Sequence, residues 1–505
     1  MKIINKIIIL CLLAVLAYSC IEDEGNYDYT PLSFVTISNV YSNWGVPLGE
    51  EYTITPEIDY NGLEEDDFNY YWITYIQNDD WGDTISYEKD LHYKFLRTQW
   101  YMTSLVVEHK ESKGITTKQI DLNIVPRYQT GWVILSDKNG ESELSYARRE
   151  ESTIDGVTYP YRAFPDIFTQ QNGTEEQLGT GPVSLGRHFT SSEDQILVVQ
   201  GGEQTAEISG TDFTKVITTR EEFVGSVYPA GFVPVSAEYG ERIEVILGAN
   251  GKLYTRINPN NSFQVCSYSN IPIPGVDIKK MYYTANLGFI HLYDELNHRI
   301  MGIQDLPQAF TGRILYTKMD PEGNNAADFT PLDNLGDDSK LEFCSSYSIG
   351  STRYYIQILK KGAAYYFQTF ELSQSNEILY VQNGVQSLFK ANGLVNDDSK
   401  YCVIRDSYLY FSAGNKLYYW DRQTDQIATY YDFPEGANIV KIEPNDAKNE
   451  LGIGLDNGEF YIMDISYDAM VGSTSKILLP MKGLGKVVDV QYKYGNTGNF
   501  NNQQQ

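Results

Sequence analysis

Apolar and polar residues alternate along most of this chain in short runs broken by Gly, Asn and Asp, the period-2 pattern of strands with one buried face. Over residues 31–127 the runs at 52–56, 68–73, 101–107 and 119–125 are rich in β-branched and aromatic residues. Short strands with turn signals at that spacing predict a β-sandwich of the immunoglobulin kind.

From residue 128 onward the alternation becomes a repeat. Segments 248–254, 413–418 and 455–461 share one plan: an apolar strand, a turn containing Asn and Gly, then an alternating strand. Asn and Gly are both expected to take the positive φ of a tight hairpin there. Looser copies lie at 133–146 around Asn139-Gly140, at 196–208 around Gly201-Gly202, at 289–301, and at 354–370 around Gly362. The tetrapeptide Asp-Asp-Ser-Lys at 337–340, before Cys344, returns at 397–400, before Cys402. These seven hairpins, spaced by roughly 44 to 66 residues, fit the four-stranded blades of a β-propeller. The last strand, 486–492, resembles 439–442 and has no hairpin after it. It is expected to pair with the hairpin at 131–146 and close the ring, leaving only short sheet edges. The predicted fold is therefore all-β: an N-terminal sandwich, then a seven-bladed propeller over 128–494. The Asn/Gln/Gly-rich tail at 495–505 is expected to be disordered.

Composition sharpens this picture. Of 505 residues 41 are Tyr, a ring that suits half-buried strands better than helices. With 39 Lys and Arg against 67 Asp and Glu the net charge is −28, so phosphate backbones and anionic headgroups repel the chain. Nucleic acid is not expected as a partner.

The N-terminus points to export. Lys2 and Lys6 precede an apolar run at 7–17 that suits a signal peptide and is too short to span a bilayer. Residues 1–19 read as that signal. Ala17-Tyr18-Ser19-Cys20 resembles a bacterial lipobox, which makes Cys20 the lipidated first residue of a tether over 20–30. The acidic residues Glu22, Asp23 and Glu24 resemble the surface-export signal of Bacteroidetes lipoproteins. Together they place the chain on the outer face of the outer membrane, held by lipid alone, since no later run approaches 18 apolar residues. Cys266, Cys344 and Cys402 form no CxxC pair. Buried free thiols are the first reading, and a bridge between Cys344 and Cys402 stays open.

A wider resemblance rests on several segments: the tether Gly25-Asn26-Tyr27-Asp28-Tyr29, the Tyr70-Tyr71-Trp72 element, the strand at 101–107 followed by Lys113-Gly114-Ile115, and the junction 131–146 opening on Gly131-Trp132. Together they resemble the PKD-like lipoproteins of Bacteroidetes, in which a PKD-like sandwich precedes a propeller. The Asp-Phe-Gly-Asp-Gly sequence of ordinary PKD domains does not follow Trp72. The resemblance implies a role beside a SusC/SusD-type outer-membrane importer and its companion lipoproteins, with a glycan or a peptide as ligand.

The familiar catalytic constellations have no local support in the sequence. The five histidines show no HExxH or CxxH spacing. His291 and His298 share one hairpin and could face each other, but paired strand histidines are more often surface residues than ligands. Gly181-Pro182-Val183-Ser184-Leu185-Gly186 lacks the spacing of a nucleophile elbow. The acid pairs Asp66-Asp67, Asp79-Asp80, Asp337-Asp338 and Asp397-Asp398 could cleave glycosides at the right separation, but in so acidic a chain they read as solvated turns. No metal and no cofactor are expected. Trp72 and Trp132 are expected in the core and Trp420 between sheets, whereas Trp81 in a polar loop and Trp100 are candidate ligand contacts. Asp83-Thr84-Ile85 also resembles a surface O-glycosylation motif.

The reading is a non-catalytic surface lipoprotein that binds substrate for, or scaffolds, a SusC/SusD-type importer. The alternatives are a surface glycan- or peptide-degrading propeller enzyme, hydrolase or lyase, with its acid and base groups at the central channel, and an adhesin.

Overall fold

A computed structural model describes residues 35–493 apart from 77–81, 98, 126, 129, 190–193, 241–242, 258–266, 285–288, 305–312 and 473. The chain divides into two units, Met1–Val125 and Pro126–Gln505.

In the first unit five strands lie in the order Asn43–Pro47, Ile115–Val125, Trp100–His109, Phe68–Ile76, Asp83–Ser86. Two short pairs, Thr36–Ser38 with Glu57–Asp59 and Glu51–Ile54 with Leu91–Lys94, supply the opposing layer. Alternation decides the faces. Along Trp100–His109 every second residue from Tyr101 is buried, and these side chains meet Trp72, Leu91, Phe95 and Leu122 in one core. The fully buried Trp72 indole donates to Lys89 O at 3.1 Å, so its polar edge is satisfied inside that core.

The second unit is a ring of seven blades. Blade 1 runs from Lys486–Lys493 outward through Gly131–Lys138, Glu141–Ile154 and Val157–Phe164. The last strand thus pairs antiparallel with the first, Trp132 opposite Tyr492, as the sequence predicts. Blades 2 to 7 begin at the inner strands Pro182–Phe189, Pro234–Tyr239, Ile278–Thr284, Ser339–Ile349, Tyr401–Ile404 and Ile439–Pro444. Each inner strand neighbours the next, and Ile439–Pro444 neighbours Lys486–Lys493, so the circle is complete. All seven predicted hairpins are present, each as the second and third strand of its blade.

Period 2 also builds the ring. Trp132 and Ile134 face blade 7, while Val133 and Leu135 face blade 2. Tyr355 faces blade 4 and Ile356 faces blade 6. Every blade is apolar on both faces, and each junction between successive blades holds its own core.

The turns differ from expectation in one respect. Both Asn139 and Gly140 take positive φ, 60° and 90°, but in the three tight repeats only glycine does, at Gly251, Gly414 and Gly458. The asparagines act through their side chains: Asn250 Oδ1 accepts Lys252 N–H and Asn457 Oδ1 accepts Glu459 N–H, both at 3.2 Å. Gly458 is doubly constrained, since a Cβ there would also strike Leu484 O.

Blades 4 and 5 are not separate. Their outer strands, Arg313–Met319 and Ile378–Leu388, pair in parallel from Tyr316↔Ile378 to Met319↔Val381, fusing the two into one eight-stranded sheet. Nothing in the repeat foretells this.

Candidate functional site: the charged channel of the ring

The inner strands carry charges at positions where the outer strands are apolar. Lys441 interrupts Ile439-Val440-Lys441-Ile442, and Asp489 interrupts Val487-Val488-Asp489-Val490. Lys441 Nζ lies 2.9 Å from Asp489 Oδ1 and 3.8 Å from Glu443 Oε2. Lys280 Nζ lies 2.8 Å from Glu342 Oε2, and Tyr282 donates to Glu342 O at 2.9 Å. Asp489 Oδ2 accepts the Leu185 N–H at 2.8 Å, and Ser184 donates to Val235 O at 3.0 Å. Polar contacts therefore tie the inner strands of blades 7, 1, 2 and 3, and separately those of 4 and 5.

The two lysines stay partly solvated, whereas Asp489 is buried. Lys441 and Lys280 keep 34 % and 37 % of their side-chain surface accessible, as lysines in a water-filled channel would. Burial alone would lower the Lys441 ammonium, but Asp489 and Glu443 outweigh it and hold the amine above its usual range. Lys400, just before the blade 6 inner strand, behaves in the opposite way. Burial lowers it, Asp398 restores some of the charge, and Lys280 and Lys441 depress it further. Among the described residues it has no ion-pair partner.

Other predicted residues fall elsewhere. Trp100 lies on the outward face of the sandwich sheet beside Met102, each 39 % exposed. Cys20, Glu22, Asp23, Glu24, Trp81, Asp79-Asp80, Cys266 and the tail at 495–505 lie outside the described residues. Trp72 and Trp132 are fully buried, and Trp420 packs on Phe367 of blade 5 and on Phe389. Thr84 is exposed on the edge strand Asp83–Ser86. Cys344 and Cys402 are buried free thiols, and burial pushes Cys344 up to about 12. The histidine reading needs correcting. His291 pairs with Gly302 rather than with His298, which sits in the turn at φ 48°. His291 is not a surface residue: it is buried against Phe289 and Tyr355, and burial pushes its ring down to about 3. Among the described residues no group of three or more His, Cys, Asp or Glu could hold a metal, and no helix is long and apolar enough to cross a membrane.

The sequence reading missed one cluster entirely. Arg256 of blade 3 is buried with Nε on Glu244, Nη1 on Glu222 and Nη2 on Glu207, its plane 4.5 Å from the Tyr268 ring centroid. Glu207 belongs to blade 2 and Glu244 to blade 3, so one guanidinium rivets the two. Glu222 is raised to about 8, by burial first and by Glu207 in addition, with Arg256 pulling the other way. The available signal was a lone charge inside an apolar run, Ile243-Glu244-Val245-Ile246-Leu247.

With this geometry in place, the similarities to known proteins can be stated. Residues 20–182 match the model of the PKD-like family, a span that covers the sandwich and the first three sequential strands of the ring. No curated protein matches. Among solved structures, a quinonprotein alcohol dehydrogenase-like protein from Bacteroides thetaiotaomicron VPI-5482 is 12 % identical, covering 90 % of this chain and 96 % of that one at TM-score 0.43. A putative 6-phosphogluconolactonase from Bacteroides uniformis ATCC 8492 is also 12 % identical, covering 72 % and 99 % at TM-score 0.46.

Proposed function

We propose that this protein is a non-catalytic surface lipoprotein, anchored in the outer membrane through Cys20, that binds substrate for or scaffolds a SusC/SusD-type importer. The carrying observation is the state of the channel. An acid and base set does converge there, yet Lys441 with Asp489 and Glu443, and Lys280 with Glu342, neutralise one another and tie the strands together. A carboxylate already engaged by a neighbouring ammonium is poorly placed to act as general acid towards a substrate. The PKD-like match and the export-type N-terminus support the reading. Affinity purification of the tagged protein from native membranes in mild detergent tests it: importer subunits should co-purify, and metabolic labelling with a palmitate analogue should fail on Cys20→Ala. Recovery of the protein alone, or labelling that survives the substitution, would sink it.

One observation favours a second reading. Among the described residues Lys400 has no ion-pair partner, and burial lowers its amine further than the more distant Asp398 and Glu342 raise it, the direction a nucleophilic or basic lysine needs. Turnover of a glycan or peptide panel by the purified chain, lost in Lys400→Met, would establish an enzyme instead.

A further inference from the structure

The fused edge of blades 4 and 5 opens a cleft of about 790 Å³, within the usual size of a ligand site. Its walls include Arg299, Arg313, Tyr316, Lys318, Asp333 and Glu377. The cleft exists because one strand changes partners. Arg313 to Tyr316 pairs with Arg299–Gln304, and from Tyr316 onward the same strand pairs with Ile378–Leu388. Tyr316 is thus bonded on both sides, and the two sheets fork around it.

The negative excess is relieved there. In a chain of net charge −28, three cations meet three acids, Asp333 and Glu377 in the walls and Asp294 behind Arg299. Arg299 is held from behind: the fully buried Asp294 takes its Nε at 2.9 Å, and its guanidinium lies 5.3 Å from the Tyr316 ring centroid. Among the described residues its two terminal nitrogens have no hydrogen-bond partner. Arg313 reaches Glu377 only at 4.0 Å, and Lys318 is exposed with no ion pair among the described residues. Tyr316 remains 43 % exposed. These are donors for a carboxylate grouped around an aromatic ring.

We infer that this cleft binds a glycan bearing carboxylates, a uronic-acid sugar, through Arg299, Arg313 and Lys318 with Tyr316 against a sugar ring. The inference rests on the substrate-binding half of the function proposed above. Acidic peptide is the weaker fit. An extended peptide adds to a free strand edge, and here the edge is taken, with Tyr316 N–H donating to Glu377 O at 2.8 Å and Asp320 N–H to Val381 O at 3.1 Å. Attraction to anions must also be local, because the chain as a whole repels them.

Isothermal titration of the full mature chain with oligogalacturonate tests this, with maltohexaose and polyglutamate as comparators. Oligogalacturonate should bind, maltohexaose should not, and affinity should fall at least tenfold in the Arg313→Ala/Lys318→Ala double variant and in Tyr316→Ala. Thermal melts matching the parent would show that both variants fold. Absence of oligogalacturonate binding, binding of polyglutamate as tight as that of the sugar, or unchanged affinity in the folded variants would each overturn the inference. Importer co-purification reads docking and titration reads the cleft, so either can fail alone.

Discussion

The Arg256 cluster and the lysine channel both place charge between blades, and what separates them is water. In the channel each lysine keeps about a third of its side chain solvated, while Asp489 and Glu342 are each 11 % exposed, so the cation gives up little hydration and gains little by pairing. At Arg256 the guanidinium and all three carboxylates are dry, with side-chain exposures of 5 % or less. There the desolvation cost is large, and it is offset by one acid on each of the three guanidinium nitrogens and by a tyrosine face. The same ion pairs serve as replaceable ties in one place and as a rivet in the other.

Three changes would break or sharpen that contrast. Arg256→Met should have the largest effect, leaving the buried Glu207, Glu222 and Glu244 without their shared cation and costing about 3–5 kcal/mol in stability. Denaturant melts read this, and a loss under about 1 kcal/mol would mean water reaches the site. Next comes pH. Glu222 titrates near 8 in the fold against 4.5 when unfolded. Below pH 4.5 its carboxyl is neutral in both states, and as pH rises from there towards 8 the unfolded chain ionises first, so this group's contribution to stability is lost over that window. Melting temperature should therefore drift down across it in the parent, and Glu222→Gln should flatten the drift; an identical slope in the variant would refute the assignment. Smallest is Asp489→Asn in the channel, where Lys441 keeps Glu443 and the amide oxygen can still accept from Leu185. About 1 kcal/mol is expected. A loss as large as that of Arg256→Met would show the channel to be dry.

Much of the fold could be read from the sequence because its determinants are local. A glycine in a tight turn and an alternating strand after it are properties of a few adjacent residues, and they mark six of the seven hairpins, the turn at 295–298 taking its positive φ at His298 instead. Closure was legible for a related reason: the strand at 486–493 had the pattern of a blade strand and no hairpin of its own. The sites were harder, because their residues meet only through the ring. Glu207, Glu222, Glu244 and Arg256 come from two blades, and Lys441 finds Asp489 only once the circle is complete. A lone charge in an apolar run marks such positions without naming the partner. The parallel pairing of Tyr316 with Ile378 left no local mark, since either strand could equally have ended a separate blade.

Closure by the last strand also sets an order of assembly. Gly131–Lys138 is made early but obtains its inner neighbour only when Lys486–Lys493 has been synthesised and delivered. Until then that neighbour's place is an unpaired edge, the feature that invites pairing with another chain. A chain truncated before residue 486 would keep six inner strands and lose the seventh, along with Asp489. Under the export proposed above, the ring would be completed on the far side of the membrane, after its final residues have crossed.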